Sequence, residues 1–299
     1  MASGPTRTGY VTLVGHPNVG KSTLLNAMVG EKLSIVTAKA QTTWQRVTGI
    51  VTSDASQMVF LDTPGLLEAK DLLQQSMLAQ AHDAVREADV LLLVVDARQP
   101  QYDPRIRDAL AHSRAPRFVA VNKVDLASPE ATQTCLRWAE DELGARAVAV
   151  SALQGTGVEE LRGAIAGALP EAPFLYPADD IASQPVRFFV AELVRETVFE
   201  RYRQEIPYSV VCRVEEFREE QEPAYIEVGV FVERESQKGI LVGKGGAGIR
   251  ELGRISREKI EHFLGRPVYL ELWVKTLEGW RRKRGDLTRL GFHVPDEAR

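Results

Sequence analysis

Cysteine is scarce in this chain: Cys135 and Cys212 are the only two in 299 residues. A pair so far apart offers neither a disulfide framework nor a zinc cluster and points to a reducing, cytosolic compartment. Long apolar runs are missing too. The longest, VLLLVV at 90–95, is too short for a bilayer but suits a strand buried on both faces. The opening MASGPTRTG has no apolar segment of the signal-peptide kind, so secretion is not expected. Nor is there an excess of positive charge: 37 Lys and Arg stand against 41 Asp and Glu. The chain as a whole therefore does not advertise a nucleic-acid partner. With 44% hydrophobic residues it is globular, and its length allows two domains of ordinary size.

The charge is unevenly placed. Residues 1–184 carry 16 bases against 21 acids, and residues 185–299 carry 21 against 20. Lys238, Lys244, Arg250, Arg254, Arg257 and Lys259 face only Glu251 and Glu258 within 238–259, and RRKR follows at 281–284. A local basic surface and a solvated helix face explain this equally well.

From 9 to 169, short apolar runs alternate with helical patterns. Strands are expected at 10–15, 47–52, 57–62, 90–96, 117–122 and 145–151, and helices near 21–29, 72–88, 104–112, 128–143 and 158–168. Such alternation predicts a mostly parallel sheet wrapped by helices. The stretch 169–185 has four prolines and no period, which marks a boundary. We divide the chain into 1–172, a linker at 173–185, and 186–299. The second part reads as a helix at 186–204, strands at 208–217 and 224–234, a short apolar turn of helical spacing, a helix at 247–264 and a strand at 267–275.

Two glycine loops stand out. GHPNVGKS at 15–22 fits G-x-x-x-x-G-K-[ST], follows a strand and opens a helix. In such a loop, backbone amides turn onto phosphate oxygens, and the helix N-terminus adds positive potential. The expected contacts are Gly15, His16, Pro17, Asn18, Val19, Gly20, Lys21, Ser22 and Thr23. Lys21 would reach the β- and γ-phosphates and Ser22 would hold Mg²⁺. Further strings end strands. In DTPG, Asp62 holds Mg²⁺ through water and Gly65 senses the γ-phosphate, with Thr63 and Pro64 between them. In NKVD, Asp125 accepts two N–H groups from a guanine edge, while Asn122 and Lys123 support the loop and stack on the ring. In SAL, the turn Ser151, Ala152, Leu153 brings a backbone amide near the base. Each string is weak alone. Four in order, each just after a strand, argue for a GTPase domain.

The second loop, LVGKGGAGIR at 241–250, contains G-x-G-x-x-G, the dinucleotide fingerprint. That motif needs its first glycine directly after a strand and an acid at the end of the next one. Here a helical segment intervenes, and Glu271 lies within a strand. The better parse is G-x-x-G, Gly243-Lys244-Gly245-Gly246, between two helices, a loop that clamps a single-stranded backbone. Ile240, Leu241 and Ile249 would line the groove for bases. Lys244 and Arg250 would add charge.

Taken together, GHPNVGKS, QTT at 41–43, DTPG, NKVD and SAL, with IPYSV at 206–210, the 232–249 segment and LELWVK at 270–275, resemble the Era family of GTPases from about 9 to 293. The resemblance implies an α/β P-loop GTPase domain followed by an α+β type II KH domain. It also implies binding of GTP and GDP with Mg²⁺, and slow hydrolysis. Thr42 or Thr43 would supply a switch hydroxyl to Mg²⁺ from the loop 31–46, which orders around the γ-phosphate. Lys21, Asn18, Thr42, Thr43 and Gly65 form the expected catalytic group. Ras-like enzymes place a water-orienting Gln after D-x-x-G; here that residue is Leu66. Asn18, by analogy with related GTPases, would instead hold K⁺ where an arginine finger would stand. A plain turn-forming role is its alternative. Trp44 departs from the family, which commonly has Arg there. The implied partners are the 3′ end of small-subunit ribosomal RNA and the small ribosomal subunit, with loose contact at the inner membrane face. A monomer is expected. A scaffold whose GTPase domain only stabilises the fold is the other function class.

Overall fold

The computed structural model describes residues 5–295 apart from 38, 40, 41, 66–68, 100–106 and 108–112. Gln41, Leu66 and most of the helix expected at 104–112 lie outside the described residues. The chain forms two compact units, one of residues 1–70 and 74–183, the other of 71–73 and 184–299.

The first unit is built on β1 (Arg7–Val14), β2 (Val47–Thr52), β3 (Ser56–Asp62), β4 (Val90–Asp96), β5 (Arg117–Asn122) and β6 (Arg146–Ala149). They lie in the order β2-β3-β1-β4-β5-β6. Only β2 is antiparallel to its neighbour. Central strands of a parallel sheet are covered on both faces, which is why β4 reads as unbroken apolar sequence. Val90 to Val95 are all buried. The helices are α1 (Lys21–Val29), α2 (Leu72–Glu87), α3 (Pro129–Leu143) and α4 (Val158–Ala168). Ser128 caps α3, its hydroxyl accepting from the Ala131 amide, and Pro129 opens the helix, where the missing N–H costs nothing.

The proline-rich stretch after α4 is laid along this unit. The fully buried Gln57 donates to the Tyr176 carbonyl at 2.8 Å and accepts from the Leu175 and Tyr176 amides at 2.8 and 3.0 Å. The Ile50 amide on edge strand β2 donates to the Ile181 carbonyl. Backbone pairs between Thr8 and Pro170 and between Thr6 and Ala172 complete the attachment.

The second unit runs α5 (Val186–Arg201), a short α6 (Ile206–Ser209), β7 (Val211–Arg218), β8 (Ala224–Val232), α7 (Glu235–Val242), α8 (Ala247–Leu264), β9 (Val268–Thr276) and α9 (Arg284–Arg289). The strand expected from 208 starts at 211 because Pro207, at the start of α6, fits a first helical turn. The sheet order is β7-β8-β9, with β7 antiparallel and β9 parallel to β8. Its inner face, with Ile226, Val228, Val230, Val232, Leu270 and Leu272, packs on Val190, Val194 and Val198 of α5, Leu241 of α7, and Leu252 and Ile260 of α8.

Alternation sends the other residues to the outer face. A bulge between Val214 and Glu216 sets the register there, so that Glu216, Glu227 and Glu271 stand abreast across all three strands. Like charges directly opposite one another are unfavourable. Each of these has a local partner: Arg218 for Glu216, the Trp273 indole for Glu227 at 2.6 Å, and the Tyr225 hydroxyl for Glu271 at 2.9 Å. No helix among the described residues is long and apolar enough to cross a membrane.

Candidate functional site

The phosphate loop links β1 to α1. Gly20 caps α1 without a side chain, so the first-turn amides have no side-chain acceptor and are open to an anion. A Cβ on Gly20 would sit 2.4 Å from Asn122 Nδ2, so only glycine allows the guanine-type loop to approach so closely. Asn122 joins three segments. Its Nδ2 donates to the Val19 carbonyl at 2.8 Å and its Oδ1 accepts from the Ala152 amide at 3.0 Å. Within the SAL turn, expected to bring a backbone amide near the base, the Ala152 amide is thus held by Asn122. Ser151 Oγ donates to Asp125 Oδ1 at 2.6 Å and accepts from the Gln154 amide, which fixes the Asp125 carboxylate. Asn18 has φ 65°, the left-handed region that favours Asn among non-glycine residues, and its carbonyl accepts from Lys123 Nζ.

A cavity of about 420 Å³ lies over the loop. It is lined by Pro17, Asn18, Gly20, Lys21, Ser22, Thr23, Thr42, Thr43, Thr63, Gly65 and Lys123, and by Ile35, Val36 and Thr37, which carry no motif in the sequence. Lys21 Nζ donates to the Gly15 and His16 carbonyls at 3.0 and 3.2 Å. Ser22 Oγ donates to Asp62 Oδ2 at 2.7 Å, and Thr43 Oγ1 lies 3.1 Å from Ser22 Oγ and 3.3 Å from the same carboxylate oxygen. Thr43 thus joins the Ser22–Asp62 pair, while Thr42 lines the cavity. Among the described residues the other oxygen, Asp62 Oδ1, is buried with no direct hydrogen-bond partner, although the Ser34 side chain also acts on this carboxyl. Burial pushes the Asp62 carboxyl up and the Lys21 ammonium down, and each charge opposes the shift of the other. A buried carboxylate beside two hydroxyls is the donor set a hard, oxygen-seeking cation such as Mg²⁺ takes. Trp44 is buried, so the side chain at this position is packed into the first unit.

Asp96, at the end of β4, is the residue the motifs miss. It accepts from Arg98 and from Lys123, whose ammonium lies 3.1 Å from Oδ2. The Arg98 guanidinium, more than Lys123, holds this carboxyl below the usual carboxylate range.

In the second unit, the loop between α7 and α8 carries Gly243, Gly245 and Gly246 at φ 70°, 58° and 79°. Lys244 is exposed, Ile240 is half exposed and Ile249 half buried. Arg250 Nη1 donates to the Gly245 carbonyl at 2.9 Å and so braces the loop. Leu241 is a correction: it is fully buried in the core because the helical period turns it inward when Ile240 faces out. Of the basic run 281–284, Arg281 and Arg284 donate to backbone carbonyls, and Arg282, Lys283 and Arg284 are exposed.

A phosphate loop, a Mg²⁺-type oxygen set and a guanine-type loop on a mostly parallel sheet make the first unit a P-loop domain of the GTPase class. The α-β-β-α-α-β unit with its glycine loop is a KH fold. Comparison with known proteins agrees: residues 10–123 match the family of 50S ribosome-binding GTPases and 205–281 match the KH domain family. The chain is 42% identical over 291 residues to GTPase Era of Carboxydothermus hydrogenoformans, covering 96% of this chain and 98% of that one. The crystal structure of a point variant of Aquifex aeolicus Era bound to GDP·AlF₄⁻ is 36% identical with a TM-score of 0.90, covering 97% of this chain and all of that one. A crystal structure of Era with MgGDPNP and nucleotides 1506–1542 of 16S ribosomal RNA gives 36% and 0.91, with the same coverage. The chain belongs to the Era family of GTPases.

Proposed function

We propose that the cavity of the first unit takes GTP with Mg²⁺ and hydrolyses it, and that the glycine loop of the second clamps single-stranded RNA. The protein would then be a GTP-switched factor for small-subunit assembly, with the 3′ end of small-subunit ribosomal RNA as its target. The observation that carries this reading is the Ser22–Asp62–Thr43 oxygen set at the foot of the phosphate loop, whose Oδ1 has no direct hydrogen-bond partner among the described residues. Bound there, Mg²⁺ would neutralise phosphate charge that develops during transfer.

Lys21 holds the β- and γ-phosphates, the Gly65 amide senses the γ-phosphate, and Asp125 selects guanine. Asn18 would hold K⁺, which would supply positive charge where an arginine finger would otherwise stand. Lys244 and Arg250 attract the RNA backbone, the glycines let it approach, and Ile240 and Ile249 meet its bases. The relative bound to 16S RNA supports the small-subunit target. The 50S description belongs to the match over residues 10–123, a stretch that holds no KH domain. The protein acts as a monomer, and any loose contact with an anionic membrane surface rests on the basic run 281–284.

The test is titration of a 3′-terminal 16S RNA segment against the full chain loaded with a non-hydrolysable GTP analogue or with GDP. A several-fold difference in affinity supports the switch. Equal affinities reduce the protein to a nucleotide-indifferent RNA binder, and no binding in either state removes the RNA target.

A further inference from the structure

Asp96 belongs to none of the motifs that pick out the nucleotide site, yet its carboxylate reaches two of them through one lysine. Oδ2 lies 3.1 Å from Lys123 Nζ, and the same ammonium donates to the Asn18 carbonyl in the phosphate loop. The Lys123 and Asp96 side chains are 25% and 15% exposed, so solvent screens this pair less than a surface pair. Lys123 has φ 65° in its own backbone, directly after β5. Its long side chain would otherwise sample many rotamers and lose that freedom each time a base bound against it.

We propose that Asp96 is a positioning residue for guanine nucleotides: it fixes Lys123 across the guanine-type loop and the phosphate loop before the nucleotide arrives. This preorganisation tightens binding of every guanine nucleotide, because it acts on the lysine and not on the γ-phosphate. The inference rests on the reading of NKVD as the guanine subsite. The competing role for Asp96 is local. Its Oδ1 accepts from the Arg98 amide at 3.0 Å and from Arg98 Nε at 2.9 Å, and its carbonyl accepts from Gln99, which closes a turn.

Asp96→Asn separates the two roles, because an amide oxygen still accepts from the Arg98 amide while the charge facing Lys123 is gone. The experiment uses the full chain with Mg²⁺ and fluorescent GDP and GTP analogues. We expect roughly tenfold weaker affinity for both, KM for GTP raised in proportion, and kcat at saturation within about twofold of the parent. In a Lys123→Ala background Asp96→Asn should add nothing, since the two residues act through one contact. Arg98→Ala should leave affinity within about twofold. If Asp96→Asn does not fold, Asp96→Ser, which also accepts from the Arg98 amide, replaces it.

Unchanged affinity in Asp96→Asn, an equal loss with Lys123 already removed, or an Arg98→Ala variant as weak as Asp96→Asn would each make Asp96 a turn residue and overturn the proposal. Asp125→Asn, assayed in parallel against guanosine and xanthosine nucleotides, tests the subsite itself. If it keeps the guanine preference, the subsite reading and this inference fall together. If it switches preference while Asp96→Asn is silent, only this inference fails.

Discussion

Ser22 and Asp62, forty residues apart in the chain, meet at 2.7 Å beneath the phosphate loop, and Thr43 closes on the same carboxylate oxygen. Asp62→Ala should therefore weaken GTP by about tenfold or more in Mg²⁺ and abolish the gain in affinity that Mg²⁺ gives the parent over EDTA. Equilibrium titration in both buffers checks this. A retained Mg²⁺ effect would place the cation elsewhere.

Asp125→Asn exchanges an acceptor for a donor on a carboxylate that Ser151 holds in place. GTP should weaken by roughly a hundredfold or more, and xanthosine triphosphate should gain. Parallel titrations measure the ratio.

Replacing K⁺ by Na⁺ at constant ionic strength should slow hydrolysis roughly tenfold or more if a cation at Asn18 supplies transition-state charge. Asn18→Ala should hydrolyse at the same low rate in both salts. Phosphate release in the two buffers is the assay. Equal rates for the parent would discard the K⁺ site.

Lys244→Asp with Gly245→Asp should abolish RNA binding and leave GTP affinity unchanged. Two carboxylates would face phosphate in the loop, and the new side chain at 245 must take φ 58°. Parent binding should weaken steeply as salt rises. RNA titration with circular dichroism as a folding control decides, and a folded variant that still binds RNA at parent strength would reduce the loop to a helix–helix turn.

What the sequence made legible was what short spacing encodes. A loop that must follow a strand and open a helix is spelled by consecutive residues, so the phosphate loop, DTPG and NKVD could be found by eye. So could the strand β4, buried on both faces. Less legible were choices made by distant partners. Nothing local says that Gln57 will hold the backbone at 175–176, since its partners lie 118 and 119 residues away. Nothing local gives Asp96 its lysine. Leu241 and Ile240 are equally apolar, and only the packing of α7 decides which becomes core. Four basic residues in a row look like one surface, yet two of them bind carbonyls.

The row of glutamates across the outer face of the second unit has a consequence for how a polyanion meets it. That part of the chain is almost neutral, 21 bases against 20 acids from residue 185 onward. The register that lines up the three carboxylates places Arg213, Arg218 and Lys275 on the same face, so acids and bases are interleaved there. Interleaved charges largely cancel at a distance, and such a face would neither repel nor steer a negative strand from afar. Attraction would then come mainly at contact, where Lys244 stands exposed in the loop between two helices.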